Sequence, residues 1–378
     1  MTSRDQLSAI SDLQSTIHDP RSAILDFITT TPLNQFEDEA FNTLALQLFA
    51  HQFQHNNVYQ RYCQQAGVAS PQLAHWQEIP AVTTSAFKQV PLVCFPHEQA
   101  AVVFYTSGTT QQRPGKHYFR DLQFYRAALL RSFKAYCLPD LERIRFLFLA
   151  PTTKHFANSS LGYMCAALRE AYGAEKSAAF FTPEQLQLGC FRRAVESAIT
   201  ENTPVFIFGT AFNLLAFLDE CAANKLRFEL PEGSRVLDTG GYKGRTREVP
   251  REEFQTMLCE CFGLHKKNLL NEYGMTELSS QFYESRLPLA PLADERDHIK
   301  FMPPWVRVAA IDPNTMRPLP AGETGMLRVY DLANVDSVLA IQTEDLGRVW
   351  QDRIELLGRA SDAELRGCSL LTEMIDNL

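Results

Sequence analysis

A short run of hydroxyl and glycine residues is the part of this 378-residue chain best suited to hold a phosphate. Residues 106–110 read Thr-Ser-Gly-Thr-Thr, follow the apolar residues 101–104, and precede a loop that carries Arg113 and Lys116. Hydroxyl groups and backbone N–H groups at the end of a buried strand donate hydrogen bonds to phosphate, and the two cations add charge. The sequence therefore predicts a nucleotide triphosphate site. Its first candidates are Thr106, Ser107, Gly108, Thr109, Thr110 and Lys116.

The loop differs from the Walker A sequence, Gly-x4-Gly-Lys-Ser/Thr. Six residues separate Gly108 from Gly115, and Lys116 is followed by His117 instead of a hydroxyl residue that would bind magnesium. A polar surface turn has a similar composition, so the interpretation depends on motifs in the later part of the chain.

Four clusters of polar residues and glycines lie farther along the sequence. Residues 238–242 read Asp-Thr-Gly-Gly-Tyr, residues 271–277 Asn-Glu-Tyr-Gly-Met-Thr-Glu, residues 342–347 Gln-Thr-Glu-Asp-Leu-Gly, and residues 358–359 Gly-Arg. A glycine pair alone marks only a turn. Several motifs in a fixed order are far more specific than any one of them. In this order the motifs resemble the signatures of the adenylate-forming superfamily, which includes acyl-CoA synthetases, luciferases and acyl-protein synthetases.

The resemblance implies how most of the nucleotide is bound. Gly240 and Gly241 would form a turn against adenine, and Tyr273 would stack near the same base. Thr276 would meet the α-phosphate, and Glu277 would meet Mg²⁺. The last role is chemically reasonable, because Mg²⁺ prefers hard carboxylate oxygens together with phosphate oxygens.

The two remaining motifs concern the ribose and a hinge. The resemblance implies that Asp345 holds the ribose hydroxyls, and a carboxylate can accept two hydrogen bonds from a diol. The Gly-Arg pair resembles the hinge motif of the superfamily, which makes Arg359 a further nucleotide-binding candidate. Three positions depart from the pattern: Gln111 and Glu344 replace usual glycines, and the hinge acid, Asp362, comes one position late.

The end of the chain narrows the resemblance. Ordinary superfamily members have a C-terminal lid domain with a lysine that drives adenylation. Here 19 residues follow Arg359 and no lysine occurs after Lys300, so we expect this domain to be essentially absent. Cys368 lies close to the C-terminus, as in the LuxE type of acyl-protein synthetase, the subunit of bioluminescent fatty-acid reductase that activates a fatty acid. In that family such a cysteine accepts the acyl group and passes it to a reductase partner. The resemblance covers residues 35–375 and leans toward the phenylacetate-CoA ligase branch.

Cys368 also has a simpler interpretation. A thiol attacks only as the thiolate, which nearby cations such as Arg366 and Arg359 favour. Free cysteines are, however, commonly buried and inert, and position alone does not distinguish Cys368 from the other eight. These are Cys63, Cys94, Cys137, Cys165, Cys190, Cys221, Cys259 and Cys261.

Composition is typical of a globular cytoplasmic enzyme. Hydrophobic residues make up 45% of the chain and charged residues 21%. The net charge of −8 argues against a nucleic-acid partner, which would need a basic excess. No run is long and apolar enough to span a membrane or form a signal core. The nine cysteines show no Cys-x-x-Cys pair, so neither a disulfide framework nor a zinc site is indicated.

Periodicity predicts an α/β fold. A helix is expected from Phe41 to Phe53, with others at 125–136, 182–199 and 212–223. Buried strands at 143–150 and 204–208 alternate with them, which indicates βαβ units and a parallel sheet flanked by helices. Strands at 306–311 and 324–330 flank a turn-rich segment and match the small β-barrel-like subdomain of the superfamily. The predicted divisions are a lead-in 1–34, an α/β core 35–302, a β-rich subdomain 303–357 and a tail 358–378.

The sequence thus predicts an ATP- and Mg²⁺-dependent ligase that activates a carboxylic, here fatty, acid and transfers the acyl group to Cys368 and then to a partner protein. Ligands of open α/β sheets bind beyond the carboxyl ends of the strands, so His155 and Phe156 are candidates for the acid pocket, although a solvent-exposed loop histidine would fit equally. Three alternatives stay open. The acyl group could go directly to CoA or to a carrier protein's phosphopantetheine, or the chain could be a non-catalytic nucleotide-binding subunit. The third alternative is an α/β protein with unrelated chemistry.

Overall fold

The computed structural model describes residues 19–106, 113–241, 247–294, 296 and 298–360. None of the helices in these ranges is both long enough and apolar enough to cross a membrane. The helices are α1 Arg21–Thr30, α2 Asp38–His55, α3 Asn57–Gln65, α4 Ala86–Gln89, α5 Gln123–Cys137, α6 Ser160–Tyr172, α7 Leu188–Thr200, α8 Ala211–Asn224 and α9 Arg251–Phe262, with 3-10 turns at Trp76–Glu78, His97–Gln99 and Lys266–Asn268.

The described strands form one large mixed sheet and a separate hairpin. The strands are β1 Val82–Thr83, β2 Val102–Tyr105, β3 Lys116–Phe119, β4 Arg145–Leu149, β5 Ala178–Ala179, β6 Val205–Thr210, β7 Arg235–Thr239, β8 Leu269–Tyr273, β9 Phe282–Glu284, β10 Ile299–Phe301, β11 Val306–Ile311, β12 Thr324–Asp331, β13 Ala340–Val349 and β14 Arg353–Arg359. The large sheet runs β11-β12-β13-β14-β10-β9-β8-β7-β6-β4-β5, with β1 paired to β13, and the hairpin is β2-β3.

Strands β8, β7, β6, β4 and β5 pair in parallel, as the alternation of strands and helices predicts. The side chains of β4 and β7 are buried on both faces of the sheet. Phe146 and Phe148 of β4 pack into one apolar cluster with α2 and α5, while Leu147 and Leu149 of the same strand pack into a second cluster with α7, α8 and α9. A parallel sheet covered on both faces reads as a continuous apolar run, which explains the sequence of this strand.

The predicted hairpin of the second half is confirmed, because β11 and β12 pair antiparallel from Val306 to Ile311. Strands β12, β13 and β14 continue the antiparallel order. Strand β14 then pairs with β10, and β10 with β9, so these strands are hydrogen-bonded into the same sheet as the parallel ones. The α/β fold is confirmed, whereas the domain boundary at 303 stays a prediction.

The helices expected at 41–53, 125–136 and 212–223 are confirmed as parts of α2, α5 and α8. The sequence also predicts a helix over 182–199, and its predicted start at Thr182 is wrong. Instead, Thr182 and Gln185 close a turn, with the Thr182 N–H bonded to the Gln185 carbonyl at 3.0 Å and the Gln185 N–H to the Thr182 hydroxyl at 3.3 Å. Helix α7 begins only at Leu188. The threonine therefore caps an isolated turn rather than the helix.

Candidate nucleotide site

The β2–β3 hairpin holds both ends of the predicted phosphate loop. The Thr106 N–H donates to the Gly115 carbonyl at 2.9 Å, and the Gly115 N–H donates to the Thr106 hydroxyl at 2.8 Å. An added Cβ at Gly115 would lie 3.0 Å from Thr106 Cγ2, so a larger residue would require the Thr106 side chain to shift. Ser107, Gly108, Thr109 and Thr110 lie outside the described residues. The loop is thus closed at its base by Thr106 itself.

Lys116 begins β3 directly opposite Tyr105. Its ammonium nitrogen lies 5.7 Å from the centroid of the Tyr105 ring, and that tyrosine is 41% exposed. A cation above an aromatic face is attracted by the ring but keeps access to solvent. Lys116 therefore lies at the described base of the phosphate loop, beside an exposed tyrosine.

His117 connects the phosphate loop to the second motif. Its ring is buried, and Nδ1 donates to the Thr276 carbonyl at 2.8 Å. Burial lowers the pKa of His117 to about 4, although the bond to Thr276 opposes this shift. The ring is therefore neutral at physiological pH. The Thr276 hydroxyl lies 3.3 Å from the hydroxyl of Ser160, the first residue of α6. Lys116 and Thr276, distant in sequence, are thus tied through one imidazole.

Glu277 follows in a tightly fixed turn. The buried Asp331 carboxylate accepts hydrogen bonds from the Ser279 and Ser280 N–H groups at 3.0 and 2.8 Å and from the Ser280 hydroxyl at 2.7 Å. Asn334 holds the Glu277 carbonyl at 3.0 Å. Among the described residues, the Glu277 carboxylate forms no salt bridge, and burial raises its pKa to about 7. Such a carboxylate suits a cation that arrives with phosphate oxygens.

Tyr273 and Asp345 form the second direct contact between motifs. The Tyr273 hydroxyl donates to Asp345 Oδ2 at 2.8 Å, and Arg359 Nε lies 3.7 Å from Asp345 Oδ1. Burial raises the pKa of Asp345, while Tyr273 and Arg359 oppose the rise. The Arg359 side chain is 78% exposed and also lies 3.7 Å from Glu344, the residue that replaces a glycine of the superfamily pattern. The predicted adenine and ribose contacts are therefore adjacent.

Gly240 and Gly241 follow β7 at the same edge of the sheet. Gly240 has φ +67°, a left-handed conformation that favours glycine, and a Cβ at either position would meet no atom within 4 Å. The turn therefore presents open backbone beside β8, which carries Tyr273. The preceding Asp238 is buried and accepts two hydrogen bonds of 2.8 Å from Arg251 Nη1.

A cavity of about 700 Å³ lies between α6 and the β4–β5 edge of the sheet. Its wall includes the loop after β4, which carries His155, one of the two acid-pocket candidates. The ring of the other candidate, Phe156, packs in a tilted arrangement with its centroid 5.5 Å from that of Phe181, which lines the cavity. The rest of the wall is partly apolar and partly polar or charged: Phe148, Thr152, Thr153, Lys154, Cys165, Ala166, Arg169, Glu170, Ser177, Ala178, Ala179, Thr182 and Gln187.

Cys368 lies outside the described residues. Of the eight other cysteines, six are buried, Cys259 is half-buried and Cys190 is exposed. Burial raises the pKa of Cys63 to about 12 and also raises that of Cys165. Buried thiols of this kind are poor nucleophiles. In the described parts of the chain, no three histidine, cysteine or acidic side chains gather as a metal site.

Sequence reasoning missed several residues that shape the site, notably His117, Ser160 and Asp331. The signal for His117 was available, since it directly follows Lys116 in the strand that leaves the phosphate loop. Ser160 contacts Thr276 of the second motif from 116 residues away, and Asp331 binds Ser280, just after the motif, from 51 residues away, so no local pattern could have revealed them.

Comparison with known proteins identifies the family. The family model for the acyl-protein synthetase LuxE matches residues 21–375. This chain belongs to the LuxE acyl-protein synthetase family. The long-chain-fatty-acid–luciferin-component ligase of Aliivibrio fischeri is 24% identical over 97% of this chain and 95% of its own length. The Vibrio harveyi protein of the same name is 22% identical over 85% and 84%.

Solved structures support the fold of this acyl-protein synthetase. A crystal structure of 2-hydroxyisobutyryl-CoA ligase, in complex with 2-HIB-AMP and CoA in the thioesterification state, superposes with a TM-score of 0.63. It is 18% identical, and the match covers 89% of this chain and 70% of that one. Family and fold together make the chain an ATP-dependent ligase that activates an acid. The roles of individual residues are proposals.

Proposed function

We propose that this chain joins a long-chain fatty acid to AMP and then passes the acyl group through Cys368 to a partner protein. The observation that carries the nucleotide half is the meeting of motifs distant in sequence. Tyr273 bonds Asp345 at 2.8 Å, and Thr276 bonds His117, the neighbour of Lys116, at 2.8 Å. Adenine, ribose and phosphate contacts would thus line one edge of the sheet in the order that ATP requires.

In the first step, a carboxylate oxygen of the acid attacks the α-phosphorus of ATP. The bond between that phosphorus and the bridging oxygen breaks, and pyrophosphate leaves with the electron pair. Lys116 and the Thr276 hydroxyl would stabilise the charge that develops on the phosphate oxygens, which is where preorganised donors contribute most. The neutral His117 keeps both groups in register, since it donates to the Thr276 carbonyl.

Glu277 would hold Mg²⁺ against the phosphates. Its carboxylate is buried, forms no salt bridge within the described residues, and has a pKa raised to about 7 by burial. A hard divalent ion bound by one carboxylate and several phosphate oxygens is a common arrangement. When bound, Mg²⁺ would neutralise the charge of the phosphates. Asp331 fixes the turn that aims the carboxylate.

The cavity beside α6 would take the acyl chain. Helix α6 begins at Ser160, which contacts Thr276, and the residues of this helix that line the cavity lie farther along, between Cys165 and Glu170. The cavity volume of about 700 Å³ falls in the range of small-molecule sites. The names of the two relatives also refer to a long-chain fatty acid.

In the second step, the Cys368 thiolate attacks the acyl carbon, and the bond from that carbon to the AMP oxygen breaks. The products are a thioester and AMP, and the thiol proton passes to solvent. A second acyl transfer to a partner protein would complete the cycle, as expected for a relative of luciferin-component ligases. We propose a fatty-acid reductase as this partner.

The test is the intact mass of the protein after incubation with Mg-ATP and fatty acids of graded length. Cys368→Ser is the reactive-site variant, and Cys190→Ser, which changes an exposed cysteine elsewhere, is its matched control. We expect an acyl-sized, hydroxylamine-labile gain in the wild type and in Cys190→Ser, but none in Cys368→Ser. A gain in all three proteins would refute Cys368 as the acceptor. Pyrophosphate release without any mass gain would instead favour CoA or a carrier as the acceptor.

A further inference from the structure

A network of buried charged side chains, called the charge network below, leads to the Gly240–Gly241 turn. Lys300 of β10 donates to Glu284 Oε2 at 2.8 Å, and Arg286 Nη1 lies 2.7 Å from Glu284 Oε1. Arg251, the first residue of α9, also belongs to the charge network, because its Nη2 lies 3.8 Å from Glu284 Oε2. Its Nη1 donates to both carboxylate oxygens of Asp238 at 2.8 Å. Strands β10, β9 and β7 and helix α9 are thus connected by ion pairs.

Asp238 links the charge network to the proposed adenine site. It lies two residues before Gly240, and its Oδ2 also accepts a hydrogen bond of 2.7 Å from Asn271. Asn271 donates in addition to the Asp238 carbonyl at 3.1 Å and lies two residues before Tyr273. One carboxylate therefore fixes both the turn and the strand between which adenine would bind.

Stability alone does not account for these charges. Side-chain exposure is only 4% for Asp238, 1% for Glu284 and 2% for Lys300. Buried ion pairs can often be replaced by apolar side chains without loss of stability, because removing charges from water costs so much. Burial raises the pKa of Glu284, but Lys300, Arg251 and Arg286 outweigh this effect and hold the pKa below its usual range. What the charges add is direction, since the two terminal nitrogens of one planar guanidinium face two carboxylates, Nη1 facing Asp238 and Nη2 facing Glu284.

We propose that Arg251, Glu284 and Lys300 are positioning residues for the adenosine half of the nucleotide site. They act through Asp238, which holds the Gly240–Gly241 turn and the Tyr273 strand at a fixed separation. This inference rests on the proposed nucleotide site. Loss of the charge network should weaken ATP binding but leave the phosphate contacts and the acid pocket intact.

The test compares two variants that perturb the charge network differently. Arg251→Lys keeps the positive charge but has one nitrogen in place of two, so it cannot face Asp238 and Glu284 together. Glu284→Gln with Lys300→Met removes a pair of opposite charges together. For each protein, ATP–pyrophosphate exchange gives kcat and the KM values for ATP and acid, and calorimetry gives the Kd for ATP. We expect KM and Kd for ATP to rise about tenfold, as loss of a charge-assisted hydrogen bond would give. The KM for acid and kcat should stay within about twofold of wild type.

Asp140→Asn is the matched control. Asp140 pairs with Arg235 at 2.5 Å, and Arg235 is buried on the same strand as Asp238 but at its opposite end. This variant should be destabilised in urea and yet bind ATP normally. An unchanged ATP affinity in Arg251→Lys and the double variant would overturn the positioning role, and so would an equal loss in Asp140→Asn. If the wild type binds ATP but shows no exchange, the proposed activity fails, while the calorimetric comparison still tests the positioning.

Discussion

Two buried glutamates five positions apart separate chemistry from stability. Burial raises the pKa of both Glu272 and Glu277 from 4.5 to about 7. Glu272 lies in β8, where it accepts a hydrogen bond from the Thr239 hydroxyl. Glu277 is the proposed Mg²⁺ ligand. Glutamine has nearly the same shape as glutamic acid, so Glu272→Gln and Glu277→Gln each remove one ionisable group with little repacking.

The sign of the expected effect is set by linkage. A folded-state pKa above the unfolded value means that the folded protein binds the proton more tightly. The stability that each carboxyl contributes is therefore present below pH 4.5 and is lost as the pH rises through about 7. A shift from 4.5 to about 7 corresponds to about 3 kcal/mol. We expect each glutamine variant to exceed wild type by that amount at pH 8 and to match it near pH 4.5.

Urea unfolding between pH 4.5 and 8 measures this difference, and ATP–pyrophosphate exchange at several Mg²⁺ concentrations measures activity. Both variants should gain stability at high pH, but only Glu277→Gln should lose exchange, because only its carboxylate would bind Mg²⁺. A stability difference that does not depend on pH would refute the buried, neutral carboxyl. Equal loss of exchange in both variants would refute the distinct role of Glu277.

Three further predictions concern other parts of the site. Tyr273→Phe should destabilise the protein by about 1–3 kcal/mol in urea, because the half-buried Asp345 loses its 2.8 Å donor, and no change would mean that solvent replaces this bond. The wild type should lose stability as the pH falls from 6.5 through about 4, because burial lowers the pKa of the His117 imidazole. The variant His117→Gln should lack this pH-dependent loss, and parallel stability curves of the two proteins would contradict the prediction. Ala178→Trp, which fills the cavity beside α6, should raise the KM for long acids at least about tenfold more than for acetate, and uniform inhibition would place the acyl chain elsewhere.

The motifs with local signatures were readable from the sequence, and their partners were not. The apolar run of β4 and the helical spacing of α2 predict their structures because burial pattern and period coincide. The helix expected at Thr182 starts instead at Leu188, because the Thr182 hydroxyl serves a single turn. The buried network of Asp238 and Glu284 depends on pairings between distant strands, and no local spacing encodes it.

The continuity of the large sheet has a consequence for how a nucleotide enters. Tyr273 ends β8, and Asp345 and Arg359 lie on β13 and β14, which are joined to β8 through β10 and β9. The residues proposed to hold adenine and ribose are therefore preorganised on one hydrogen-bonded framework. Little ordering entropy remains to be lost when adenosine binds, so affinity for the nucleoside comes from contact rather than closure. Free AMP would then dissociate without any movement that separates the adenine contact from the ribose contact.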